Sequence, residues 1–247
     1  MRKRARRLPL RSCIASARRV WLMVCLWLAT PAGADPIVFA RYDGPTTRYA
    51  HAVLGDGIEH EVLVLGLASG DTARFQLPET SVFEDTAPRL ADLDGDGAPE
   101  VIVVESDHAQ GARLAIYTSQ GRIAATPYIG TRFRWLAPVG AADLDGDGAV
   151  ELAYVDRPHL AKVLRVWRFE AGGLTEVAAL PGVTNHRIGE PDIAGGIRTC
   201  AGAPQMIVAA GNWSELLAVT FEAGSLSAEP IGTDTRRDAF TKAMACR

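Results

Sequence analysis

Two ten-residue segments concentrate the side chains capable of chemistry. Ala91–Glu100 reads ADLDGDGAPE and Ala142–Glu151 reads ADLDGDGAVE. Alternating carboxylates at Asp92, Asp94, Asp96 and Glu100, and at Asp143, Asp145, Asp147 and Glu151, are hard oxygen donors. Gly95, Gly97, Gly146 and Gly148 let the backbone curl around an ion, and the carbonyls of Ala98 and Ala149 supply a further oxygen each. Four like charges within nine residues are costly unless a cation neutralises them. Six or more oxygen ligands at flexible spacing suit Ca²⁺ better than Mg²⁺, and no His or Cys lies within either segment to draw zinc or copper. An EF-hand is excluded, because its twelfth position demands a bidentate Glu, whereas here it holds Val103 or Tyr154, each within an apolar run.

The elements that must position these loops repeat with them. The two segments lie 51 residues apart, and each leads into an apolar run, Val101–Val104 and Leu152–Val155. The likeness extends upstream (Ala87-Pro88 and Ala137-Pro138) and downstream (Arg113–Tyr117 and Leu164–Phe169), then through Gly turns to Arg122–Thr126 and Leu174–Leu180. Weaker copies flank the pair. One runs from Asp56 through Glu61–Leu67 to Thr72–Leu77; the other runs from Asp192 through Gln205–Ala209 and Leu216–Phe221 to Leu226. Short apolar runs separated by Gly, Asp and Pro turns are strand signals, and no sustained helical periodicity follows residue 34. The expected class is all-β. A unit of four short strands recurring about every fifty residues predicts a small β-propeller of about four blades, with Pro36–Tyr42 as a candidate closing strand. A β-sandwich with loop metal sites is the competing architecture.

Residues 1–34 have a different composition. Eight basic and no acidic residues precede or flank the apolar run Val20–Ala29, which is followed by Ala32-Gly33-Ala34. These are the three parts of a secretory signal peptide, with cleavage expected after Ala34 and the domain running over 35–247. A membrane anchor is the alternative, but ten apolar residues rise only about 15 Å as a helix, half of a hydrocarbon core. Arg18-Arg19 partly match a twin-arginine signal. Cleavage leaves eighteen basic and twenty-nine acidic side chains, with only Lys162 and Lys242 as lysines, a formal charge of about −11. That balance argues against nucleic acid and anionic membranes as partners. The expected compartment is periplasmic or extracellular. Cys200 and Cys246 alone remain of four cysteines, so an oxidising compartment predicts a bond between them, two unlinked thiols being the alternative.

The ADLDGDGxxE-strand units resemble FG-GAP/VCBS repeats, the blades of integrin-α-like β-propellers. The resemblance covers roughly residues 45–235 and is strongest over 87–170. It implies Ca²⁺ at the two sets of positions named above, about two sites in all. It fails at Asp192, where Ala194, Gly195 and Gly196 replace the carboxylates, and is weak at Asp56, with an extra residue before Glu61. Ala-Pro stands in place of the usual Phe-Gly. The family implies an interaction module for a protein or glycan ligand rather than an enzyme. Nothing in the chain matches a nucleophile elbow, a zinc-protease helix or a phosphate loop. The competing reading is a secreted hydrolase or lyase using Asn185-His186-Arg187, with His186 and Glu190 as an acid–base pair and calcium as a structural ion. Trp135, Trp167 and Trp213 recur once per repeat, which fits packing between blades. His51, His60, His108 and His159 are dispersed, and their spacing does not say whether they converge.

Overall fold

The computed structural model describes residues 35–200 and 202–247, so the expected export signal, with Cys13 and Cys25, lies outside the described residues. The chain folds as successive antiparallel groups. β1 (Ile37–Thr46), β2 (Glu59–Leu67) and β3 (Thr72–Gln76) form the first, with β2 in the centre. In the second, β4 (Ser81–Phe83) and β5 (Arg89–Ala91) share one edge of β6 (Glu100–Asp107), followed by β7 (Gly111–Thr118) and β8 (Gly121–Ala125). A single pairing of His60 with Phe83 joins these groups into one eight-stranded sheet. The third group is the four-stranded meander β9 (Leu136–Ala142), β10 (Val150–Asp156), β11 (Val163–Glu170) and β12 (Gly173–Pro181). In the fourth, β13 (Val183–Thr184) and β14 (Gly196–Arg198) share an edge of β15 (Gln205–Ala210), followed by β16 (Leu216–Glu222) and β17 (Ser225–Gly232).

Strand periodicity explains how the groups stack. Successive side chains of a strand point to opposite faces, so a strand buried on both faces reads as an unbroken apolar run. Val101 and Val103 of β6 pack with Leu63 and Leu65, whereas Ile102 and Val104 pack with Leu152, Tyr154, Trp167 and Phe169. The alternation repeats in β10, whose Ala153 and Val155 turn instead toward Met206, Val208, Leu217 and Val219. β6, β10 and β15 are thus each shared between two cores. Truncating Leu152, which has no exposed surface, to Ala is expected to cost about 2–5 kcal/mol.

Two features depart from the sequence reading. Pro36–Tyr42 closes nothing at the far end of the chain: β1 pairs with β2, its own hairpin neighbour, from Ile37↔Leu67 to Thr46↔Glu59. The fourth group gains its full complement instead from the split edge formed by β13 and β14. The second departure is a short helix, α1 (Arg237–Met244), which has no side-chain cap and buries only Phe240 and Ala243. These two pack on Ile207, Ala209 and Ala218, and the Cys200–Cys246 disulfide ties the tail just beyond the helix to the chain entering β15. Among the described residues, no helix is long and apolar enough to cross a membrane.

Candidate metal loops and a histidine cleft

Each Asp-rich loop enters a doubly buried strand, and the two curl alike. In the first, Asp92 accepts from the N–H groups of Gly95 (2.8 Å) and Gly97 (3.0 Å), and Glu100 Oε2 accepts from Leu93 N–H at 2.9 Å. In the second, Asp143 accepts from Gly146 (2.7 Å) and Gly148 (3.0 Å), and Glu151 Oε2 from Leu144 at 2.9 Å. Gly95, Gly97, Gly146 and Gly148 all have φ between 76° and 92°, a region costly for a side chain with Cβ. The sequence therefore dictates the curl locally. Asp96 and Asp147 each accept from the N–H of the alanine two residues on, Ala98 (2.7 Å) and Ala149 (2.9 Å).

The carboxylates then divide differently. In the first loop, one oxygen each from Asp92, Asp94 and Asp96 fall within 4.8 Å of one another, all three residues being exposed. In the second, the close group is Asp143, Asp145 and Glu151. Arg168 on β11 reaches three carboxylates of this second loop. Its Nε donates to Glu151 Oε1 at 2.6 Å and its Nη2 to Asp145 Oδ2 at 3.0 Å, while Nη1 lies 2.9 Å from Asp147 Oδ2. Burial pushes the Glu100 and Glu151 carboxyls above their usual range; the neighbouring aspartates add to this at Glu100, and Arg168 opposes it at Glu151.

Both loops fit a hard cation. The first carries four carboxylates with no internal cation paired to them among the described residues, and Asp94, Asp96, Glu100 and Thr118 border a cavity of about 130 Å³. The second leaves Asp145 Oδ1 buried without a hydrogen-bond partner among the described residues, an orphan acceptor suited to a metal ion. The weaker copies differ. Asp56 accepts from its own loop at Ile58, Glu61 pairs with Arg48 at 2.6 Å, and Asp192 lies 3.1 Å from Arg237.

In the Asn185-His186-Arg187 loop, the first two residues turn inward and Arg187 stays part-exposed. Asn185 and His186 have no exposed surface. His186 Nε2 bonds the Glu190 backbone oxygen at 2.9 Å, and its Nδ1 lies 3.0 Å from His159 Nε2. The Glu190 carboxylate turns away from His186 to Arg237, so the two side chains form no acid–base pair. Trp135 and Trp167 share one core, as their repeat spacing suggests, whereas Trp213 lies at a turn beneath the Arg187 guanidinium, 3.6 Å from the ring centre.

The structure also assembles a site that the spacing left open. His51 Nδ1 lies 2.6 Å from Glu84 Oε1, and Glu84 is fully buried, with Ser106 Oγ donating to its other oxygen. Trp135 Nε1 donates to the Glu84 backbone oxygen at 2.8 Å, His51 stacks on Phe133 at 4.9 Å, and Trp135 meets His186 edge-on at 4.9 Å. His51, Phe133, Trp135 and His159 border a cleft of about 230 Å³. His108 stacks on Tyr49, and His60 stacks on Tyr42; neither lines the cleft. Burial is the main cause that pushes His159 down to about 4, and it also lowers His186. Burial likewise raises Glu84, with His51 and Ser106 opposing.

Residues 92–154, from the first carboxylate of the first loop into β10, match the family described as the FG-GAP-like repeat. No curated protein matches the chain. Among solved structures, the rhamnogalacturonan lyase YesW is similar to 72% of this chain, at 16% identity and a TM-score of 0.39. The chain spans 43% of the length of that lyase. The paired Asp-Gly loops and the strands they feed lie inside this matched segment, so the chain carries an FG-GAP-like repeat over residues 92–154.

Proposed function

We propose that this chain is an exported, calcium-binding β-propeller of about four blades, acting as a binding or interaction module for a protein or carbohydrate ligand. One observation carries the reading: two loops of identical ligand types, each at the mouth of a strand shared between two cores. Asp92, Asp94, Asp96 and Glu100 with the Ala98 carbonyl would hold one Ca²⁺; Asp143, Asp145, Asp147 and Glu151 with the Ala149 carbonyl would hold the other. The ion supplies charge neutralisation, and through it stability. The four antiparallel groups, with β6 and β10 each facing a neighbouring group on both sides, would supply the blades of the proposed ring. Residues 1–34 would be removed on export, leaving an acidic module without affinity for nucleic acid or membrane.

A module of this kind binds rather than turns over substrate, and burial of Asn185 and His186, with the Glu190 carboxylate held by Arg237, supports that choice. The test is thermal unfolding of the mature chain in chelator, then after restoring Ca²⁺ or Mg²⁺. A clear fall in Tm with chelator, reversed better by Ca²⁺, is expected. An unchanged Tm contradicts the reading.

A further inference from the structure

The hydrogen bonds behind the histidine cleft constrain which imidazole nitrogens carry hydrogens. The Glu190 carbonyl can only accept, so His186 Nε2, 2.9 Å away, is the donor. In a neutral ring, His186 Nδ1 is then the acceptor, and His159 Nε2, 3.0 Å from it, must donate. That leaves a lone pair on His159 Nδ1. At the other wall, His51 Nδ1 lies 2.6 Å from the buried Glu84 Oε1; with Glu84 ionised and His51 neutral, Nδ1 donates to it and Nε2 keeps the lone pair. His51 keeps 18% of its side chain exposed while Glu84 has none, so the imidazole is held from within and faces outward. Neither His51 Nε2 nor His159 Nδ1 has a hydrogen-bond partner among the described residues, and both residues line the cleft.

Two lone pairs bordering one cleft call for a ligand that donates hydrogen bonds. Arg134 and Arg157 in the lining disfavour an ammonium ion, and an acceptor-only anion such as sulfate has nothing to donate. A shared metal ion is not supported either, because no third His, Cys, Asp or Glu ligand atom groups with these two imidazoles among the described residues. Hydroxyl groups remain. Phe133, Leu160 and Ile188 add apolar wall to a volume of about 230 Å³, room for one ring of sugar size.

We propose that this cleft binds a neutral polyhydroxylated molecule such as a single sugar residue, its hydroxyls donating to His51 Nε2 and His159 Nδ1. Glu84 and His186 are positioning residues that hold the two imidazoles in their acceptor tautomers. The proposal rests on the binding-module reading only in taking recognition, not turnover, as the task of the cleft.

The test is long-range ¹H–¹⁵N NMR of the imidazoles in the calcium-loaded mature protein at pH 7.5. The protein is then titrated with the methyl glycosides of glucose, galactose and mannose, with sulfate and methylammonium as controls. The expected spectra show an unprotonated Nε2 at His51 and an unprotonated Nδ1 at His159. At least one glycoside should move both signals saturably, and His159→Gln should weaken that binding about tenfold, the loss of one hydrogen bond of about 1.4 kcal/mol. The opposite tautomers, silence toward all three glycosides, or an equal response to sulfate would overturn the proposal. Calcium binding is measured separately by calorimetry, so silent imidazoles in a calcium-binding protein count against the cleft alone.

Discussion

Arg168 on β11 donates its Nε to Glu151 Oε1 at 2.6 Å, directly across the β10–β11 ladder. In the first repeat, Val101 pairs with Tyr117, so Thr118 is the cross-strand partner of Glu100. One loop thus carries its own cation while the other faces a neutral hydroxyl. Otherwise the ligand types are the same, and this single difference separates their expected behaviour.

Replacing Arg168 should therefore have opposite consequences in chelator and in calcium. Without metal, Arg168→Gln leaves the buried Glu151 carboxylate without its charged donor, and stability should fall by about 1.5–3 kcal/mol. With Ca²⁺ present, the second loop gains a full negative charge and should bind the ion more tightly. Melting curves in both conditions read the two effects. An equal loss of stability in chelator and in calcium would refute the competition between guanidinium and ion.

The Cys200–Cys246 bond closes a span of 46 residues around the fourth group and anchors α1. In the chain-entropy treatment, a loop of that length stabilises by about 4 kcal/mol. The mature protein should resist alkylation until it is reduced, and the Cys200→Ala, Cys246→Ala double variant should melt at a clearly lower temperature. Two thiols that alkylate freely without reductant would contradict the link.

Buried Glu59 should set the alkaline limb of stability. Burial, with the charges of Glu84, Asp56 and Asp85, pushes its carboxyl up to about 9. Between about pH 4.5 and pH 9 the folded chain holds a proton there that the unfolded chain releases, so stability falls as pH rises through this window. Glu59→Gln keeps the shape without the ionisable proton. It should match the parent near pH 5 and exceed it at pH 8.5, by about 2–4 °C in Tm for each kcal/mol relieved. The acid limb has the opposite sign: His159 titrates near 4 in the folded chain, so stability drops as pH falls from about 6.5 toward that value. The substitution at Glu59 should leave this limb unchanged. A parent whose Tm is flat between pH 5 and pH 9 contradicts both assignments.

Export predicts that the mature chain begins at Asp35. N-terminal sequencing of protein recovered from the periplasm or medium should read Asp-Pro-Ile-Val-Phe. A full-length chain retained in the inner membrane would show that Val20–Ala29 is an anchor.

Much of the fold was legible because strand signals are local. The runs at Val101–Val104 and Leu152–Val155 are apolar at every position because both faces are buried, and the Gly-Asp turns bound them. What stayed hidden depends on contacts remote in sequence. Helix α1 has too few turns and too weak a cap to leave a periodic signal, and is held by Phe240 and a disulfide. The pairing of β1 with β2 rather than with the last group could not be read from composition, since an edge strand looks alike in either place. Within the candidate loops, Arg168 belongs to another strand, so the charge it brings was invisible in the motif. The cleft did leave a trace: Glu84, Trp135 and His186 fall 51 residues apart in succession, as do His108 and His159. The repeat offset that located the loops would have placed these five residues at equivalent positions in neighbouring groups.

Calorimetric titration of the mature protein with calcium tests the central claim most directly. Each loop gathers four carboxylates, and an ion at 100 times its dissociation constant adds about 2.7 kcal/mol to stability. The account predicts binding of about two ions, with Asp94→Ala and Asp145→Ala each removing about one and the double variant losing nearly all of the response. Absence of calcium binding by the intact protein, or binding by both single variants at the level of the parent, would contradict it.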